Sequence, residues 1–192
     1  RHDLTLSPVK AYTWKGTTGA TDNEYGKVNI VEEFAPGKTI TVRPGETLVV
    51  DFGQNTSAVP SFEFKAKEGT VLTCLPAELL NDGNGAKNRG MDGPEGSGHR
   101  LNLRIPETGM LLHYTFAADK DFVSFMPRST FYGYRYVSVT ATDEVVIRSI
   151  KSVPVSSITE TLETGTIETG SADINKLISN TLWGQRSNYL SV

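Results

Sequence analysis

The sequence predicts an all-β fold, an antiparallel β-sandwich followed by one C-terminal α-helix. Three observations predict it. Ser61 to Lys67 alternates apolar and polar residues with period two, the pattern of a strand with a dry face and a wet face. Gly and Pro recur along the chain and mark many turns. Only the final stretch changes to helical spacing. A chain of 192 residues fits one domain with a real core. Its 38% apolar content, rich in Phe, Tyr, Val, Ile and Thr, suits pleated, half-buried surfaces.

Residues 1–38 read as an irregular, polar N-terminal segment packed on the sandwich, broken by Gly16, Gly19, Gly26 and Gly37. Residues 39–170 read as the sandwich itself. Thr39 to Arg43 alternates, Pro44-Gly45 turns, and Thr47 to Phe52 returns, which predicts a hairpin. In Ser61 to Lys67, Phe62, Phe64 and Ala66 share the dry face. Glu68-Gly69 turns the chain, and Thr70 to Leu75 is expected as the partner strand.

Residues 81–98 are glycine-rich and read as a long surface loop. Strands then resume at Leu101 to Ile105, Met110 to Ala117, Ser129 to Val139 and Val145 to Ile147. Ser152 to Thr169 reads as extended, Thr-rich edge structure. In residues 171–192, Ile174, Leu177, Ile178, Leu182 and Trp183 fall on one helical face. Ser171 suits an N-cap and Asp173 the first turn, so a helix is expected from near 172 to about 188. Its apolar stripe asks for a packing partner.

Net charge is −3 and the isoelectric point near 5.7, with Lys and Arg scattered. A nucleic-acid surface calls for a basic stripe, which this chain does not offer. No stretch approaches the ~18 apolar residues of a membrane span. The chain opens on Arg1-His2-Asp3 without a Met, as a processed end or a cut inside a longer protein would. The lone Cys74 lies in an apolar run and reads as a small buried hydrophobe.

The search for chemistry returns no complete site. His2, His99 and His113 are too far apart for a metal motif, and His113 reads as a structural histidine. Asn81-Asp82-Gly83-Asn84-Gly85 offers oxygens that would suit calcium, without the spacing of a calcium loop. No cofactor is expected beyond that calcium option. Gly37-Lys38-Thr39 resembles the tail of a P-loop, but Glu32 replaces the first glycine. Gly96-Ser97-Gly98 is no nucleophile elbow, because Glu95 stands where a glycine is needed. Glu32-Glu33, Asp119 with Asp121, and Asp143-Glu144 read as solvated turn or edge pairs. Tyr12, Trp14, Phe131 and Tyr132 are candidates for stacking on a sugar ring, set against ordinary burial in a sandwich.

Three segments together carry a resemblance. The first is Val49-Val50-Asp51-Phe52-Gly53-Gln54-Asn55, with Ala77-Glu78-Leu79-Leu80 and Asn102-Leu103-Arg104 downstream. The second is Phe131-Tyr132-Gly133-Tyr134-Arg135-Tyr136-Val137. The third runs from Leu182-Trp183-Gly184 to Leu190-Ser191-Val192. In this order and spacing, over roughly residues 40–192, they resemble bacterial α-L-rhamnosidases of the GH78 type. The resemblance implies a concanavalin-like or jelly-roll-like sandwich plus the helix that leads into a catalytic (α/α)6 barrel. The family's general acid and base lie in that barrel, so no catalytic residue carries over to this chain. Where the family usually continues with Met-Val-Gly-Trp, this chain has Thr56-Ser57-Ala58-Val59-Pro60.

The resemblance implies an accessory, non-catalytic domain of a hydrolase that removes terminal α-L-rhamnose. It names that barrel as partner in the same parent chain and rhamnose-containing glycans as further candidates. It suits a periplasmic or secreted protein, though the residues name no compartment. Asp51, Gly53, Gln54, Asn55, Gly133 and Arg135 are the motif residues expected to be structural. Gly53 and Gly133 suit tight backbone positions beside strands. Gln54, Asn55 and Arg135, with several hydrogen-bonding atoms each, either tie loops together or face the barrel. Two other readings stay open: a free-standing carbohydrate-binding module, and a structural or adhesive surface domain.

Overall fold

The computed structural model describes residues 4–83, 93–99, 111–119, 121–158 and 164–190. Its strands are β1 (Lys10–Thr18), β2 (Lys27–Phe34), β3 (Ile40–Val42), β4 (Thr47–Ala66), β5 (Val71–Ala77), β6 (Leu79–Leu80), β7 (Gly98–His99), β8 (Leu112–Thr115), β9 (Val123–Phe125), β10 (Tyr132–Ala141) and β11 (Val145–Pro154). Among the described residues one helix, α1 (Ala172–Asn188), follows. The expected all-β sandwich with a C-terminal helix is therefore what the chain forms.

The main sheet is antiparallel and curled. One half runs β2-β1-β4-β10-β5-β8. The other joins β3, β11 and β9 to the far end of β4. Strand β4 is 20 residues long and belongs to both halves. Leu48 to Val50 lie between β1 and β10, and Phe62 to Phe64 between β11 and β9.

This sharing corrects two expectations. The turn at Pro44-Gly45 exists, closed by Glu46 N donating to Arg43 O at 3.0 Å. Yet β3 pairs with β11 and β4 opens between β1 and β10, so the turn carries the chain from one half to the other. Glu68-Gly69 likewise links the end of β4 to β5, whose partners are β10 and β8. A local hairpin reading fails at both because β4 already has a neighbour on each side.

Residues 4–38 are not irregular. They contribute β1 and β2, which pair antiparallel, and β1 pairs with β4 from Lys10↔Asp51 to Trp14↔Thr47. Irregular register between Thr13 and Thr17 blurred the period-two signal there. The expected strand at Leu101 to Ile105 lies outside the described residues. So do Met110 of its neighbour and residues 84–92 of the glycine-rich stretch. The edge structure expected from Ser152 is strand only to Pro154. The helix begins and ends as expected, with Ser171 accepting from Ile174 N.

The core lies between the two halves. Leu48, Val50, Val137, Val139 and Cys74 from one half meet Phe62, Phe64, Val145 and Ile147 from the other. Phe64 is fully buried, with its ring 4.8 Å from Tyr114 and 4.9 Å from Phe116. Aromatic contacts at this spacing add to plain area burial. Cys74 is buried as expected, and burial pushes its thiol up from 9.0 to about 12.

Phe64→Ala is expected to cost about 3–5 kcal/mol in urea unfolding, whereas Phe131→Ala, at a site 47% exposed, should stay within about 0.5 kcal/mol. Alkaline pH should also destabilise the fold. A thiol whose pKa is raised by folding contributes stability that is complete below pH 9. That stability is lost as pH rises to about 12, by at most about 1.4 kcal/mol per pH unit. Cys74→Ala should flatten the pH dependence of unfolding between pH 9 and 10, where tyrosines contribute least.

Candidate functional site

The motif residues gather at one feature of β4. Strand β10 pairs with β4 at Tyr134↔Thr56 and again at Tyr136↔Asp51. One residue, Arg135, thus stands opposite four, Phe52 to Asn55. The result is a wide bulge, which bends the strand at the corner between the two halves.

Asp51 and Arg135 hold the two sides of this bulge together. Arg135 Nε donates to Asp51 Oδ1 at 2.8 Å, and its Nη2 to Asp51 Oδ2 at 2.8 Å. This two-point fit is the strong form of the carboxylate–guanidinium contact. The bond from Asp51 raises the Arg135 pKa further, against burial. The guanidinium carbon also lies 5.0 Å from the centre of the Tyr136 ring.

Asp51 serves the bulge twice, because its Oδ1 also accepts from Gly53 N at 2.7 Å. Its main-chain oxygen takes Val9 N at 2.8 Å. Gly53 has φ +76°, and a Cβ there would come 3.2 Å from Val9 Cγ1. Both facts favour glycine. Gln54 Nε2 donates to Asn55 O at 2.8 Å, and Asn55 Nδ2 to Glu78 Oε1 at 3.2 Å. Gly133 sits across from Ser57, where a Cβ would be 3.8 Å from the same Glu78 oxygen. Phe52, by contrast, turns into the core and meets Tyr134 edge-on at 5.9 Å.

The third motif segment arrives here as well. Thr56 Oγ1 and Ser187 Oγ are 3.0 Å apart, and Ser57 Oγ donates to Ser187 O at 2.8 Å. These contacts join residues 130 or more apart in sequence. No spacing rule could have paired them. Glu78 was legible only as a member of a motif.

The other candidates do not converge. Tyr12 is buried and its hydroxyl donates to Gly96 O at 2.5 Å. Trp14 packs beside it, Tyr132 packs against the main core, and only Phe131 of the four is largely exposed. Glu33 pairs with Lys10, Asp143 with Lys67 and Glu144 with Arg43. Asp119 accepts from Glu68 N. His113 lies on the exposed side of β8, 3.1 Å from Thr73 Oγ1. Asn81 is buried, with its Oδ1 2.8 Å from His99 Nδ1 and its Nδ2 donating to Ser97 Oγ. Among the described residues, no group of three His, Cys, Asp or Glu could hold a metal ion. No helix among them is long and apolar enough to cross a membrane.

A profile described as the bacterial α-L-rhamnosidase concanavalin-like domain matches residues 40–156, the stretch that holds β3 to β11 and the whole bulge. The chain belongs to that family. The chain aligns with an α-L-rhamnosidase from Streptomyces avermitilis at 33% identity over 87% of its length and 15% of the relative. It aligns with another from Formosa agariphila at 27% identity, over 77% of the chain and 14% of the relative. The chain thus spans about one-seventh of the length of these curated relatives. Two solved structures share the fold. A rhamnosidase from Klebsiella oxytoca with rhamnose bound superposes with a TM-score of 0.59 at 11% identity, covering 96% of this chain and 35% of its own. A native α-L-rhamnosidase from Aspergillus terreus gives 0.55 at 23% identity, covering 81% and 16%.

A double-mutant cycle on Asp51→Asn and Arg135→Gln is expected to show coupling of about 1–2 kcal/mol in unfolding, reduced from a buried pair's value because Arg135 is 38% exposed. Coupling near zero would mean that the pair does not hold the bulge.

Proposed function

We propose that this chain is the accessory, non-catalytic sandwich of an α-L-rhamnosidase and that it buttresses a separate catalytic domain. The observation that carries this reading is the family match together with the one-seventh span: the relatives named for the activity are far longer than the domain they share with it. Each candidate carboxylate pair has at least one member, Glu33, Asp119, Asp143 or Glu144, engaged in a surface ion pair or a main-chain hydrogen bond, consistent with chemistry located elsewhere.

On this reading the bulge end of the sandwich faces the catalytic domain. Several large apolar side chains stand exposed around it. Val9 touches Gly53, Leu79 follows Glu78, and Phe131 precedes the β10 residues that frame the bulge; all three are about half exposed. Ile174, Leu177 and Leu182 of α1 are exposed too. Apolar groups grouped in this way are what an interface would cover. The parent chemistry would be inverting hydrolysis, with two carboxyl groups ~6.5–9.5 Å apart and a water between them. Those carboxylates would come from the catalytic domain.

The purified chain is expected to release no aglycone from an aryl α-L-rhamnoside; rapid turnover would overturn the reading. The coding sequence beyond the Val192 codon is expected to continue into several hundred residues of helical hairpins. A stop codon at that place would remove the active site that the proposal requires.

A further inference from the structure

We infer that helix α1 is kept folded and docked by a hydroxyl latch at its C-terminal end, in which Ser187 is held by Thr56 and Ser57 of β4. The helix is not held by a fully buried face. None of its 17 residues is buried against the sandwich. Its interior holds Asn175, Ser179, Asn180, Thr181 and Gly184, all weak helix formers. An isolated helix of this length and composition is marginal in water. Among the described residues, the hydrogen bonds at its N-terminal end run to its own lead-in, through Thr169 and Asn175.

The C-terminal end is different. Ser187 Oγ lies 3.0 Å from Thr56 Oγ1 and accepts from Ser57 N at 3.3 Å. Ser187 O accepts from Ser57 Oγ at 2.8 Å. Two residues on, Tyr189 O accepts from Ser157 N at 2.6 Å. Carbonyls in the last turn lack partners within the helix, so the sandwich supplies what the helix cannot. Thr56 is only 3% exposed, which keeps water from competing for that side of the latch.

The latch has a second consequence. Thr56 and Ser57 directly follow the bulge, and their pairing with Tyr134 and Gly133 fixes where their hydroxyls point. Order in the bulge is thereby passed to the helix. The inference concerns this chain's own contacts and stands whether or not the chain belongs beside a catalytic domain.

The test is amide hydrogen exchange on the full chain, comparing wild type with Ser187→Ala, Ser57→Ala and Ser187→Thr. Protection of Lys176 to Gln185 is expected to fall about tenfold in both alanine variants, the equivalent of one to two net hydrogen bonds. Ser187→Thr should restore it, and the amides of β4 and β10 should be unchanged. Ala is a better helix former than Ser, so a helix stable by itself would gain protection in Ser187→Ala. Unchanged or increased protection there would overturn the latch. So would an equal loss across the sandwich, which would make these hydroxyls part of the core's own stability.

Discussion

Strand β4 is hydrogen-bonded into both halves of the curled sheet, so neither half can open without the other losing a central strand. Its first residues sit between β1 and β10, and its last between β11 and β9. A strand 20 residues long would span far more than one sheet's width if it ran straight. It must bend, and a bend needs extra backbone on one side. The four residues Phe52 to Asn55 opposite Arg135 supply it. The rest of the fold follows. The turns at either end of β4 become crossings between halves, and the core closes around Phe64.

A bulge loosens the ladder it interrupts, and the polar atoms it frees need partners. Here Asp51 ties several groups around the bulge. Its carboxylate binds Arg135 across the gap and caps Gly53 within it, while its carbonyl receives Val9 from the incoming N-terminal segment. Gly53 accepts the positive φ that the bend imposes. Beyond the bulge, Asn55 reaches Glu78, and Thr56 and Ser57 reach the helix. The motif residues therefore build a joint between the two halves and the helix.

Much of this was legible in the sequence. The alternation at Phe62, Glu63, Phe64 and Lys65 placed a strand with one dry face, and the structure buries Phe62 and Phe64 as that pattern requires. Ser171 and Asp173 marked the helix start because capping is a local matter. Partners across the sheet were not legible. Period two says which face is dry but not which strand lies alongside, so both turns beside β4 read as hairpins. The two strands of the N-terminal segment were hidden by the register irregularity near Trp14 and by the exposure of most of β2. At the site, the order of the three segments showed that Asp51, Gly53 and Arg135 belong together. Their geometry emerged only when β10 was laid against β4, and the tie from Ser57 to Ser187 spans too much chain for any local signal.

The central claim is that the bulged β4 makes one cooperative unit of both halves. Native-state hydrogen exchange in low denaturant tests it most directly, by comparing the opening free energies of amides at Leu48 to Val50 with those at Phe62 to Phe64. A shared β4 predicts that the two sets merge into a single global opening with one denaturant dependence. Separate openings, with Phe62 to Phe64 exchanging through a smaller unit while Leu48 to Val50 stay protected, would contradict it.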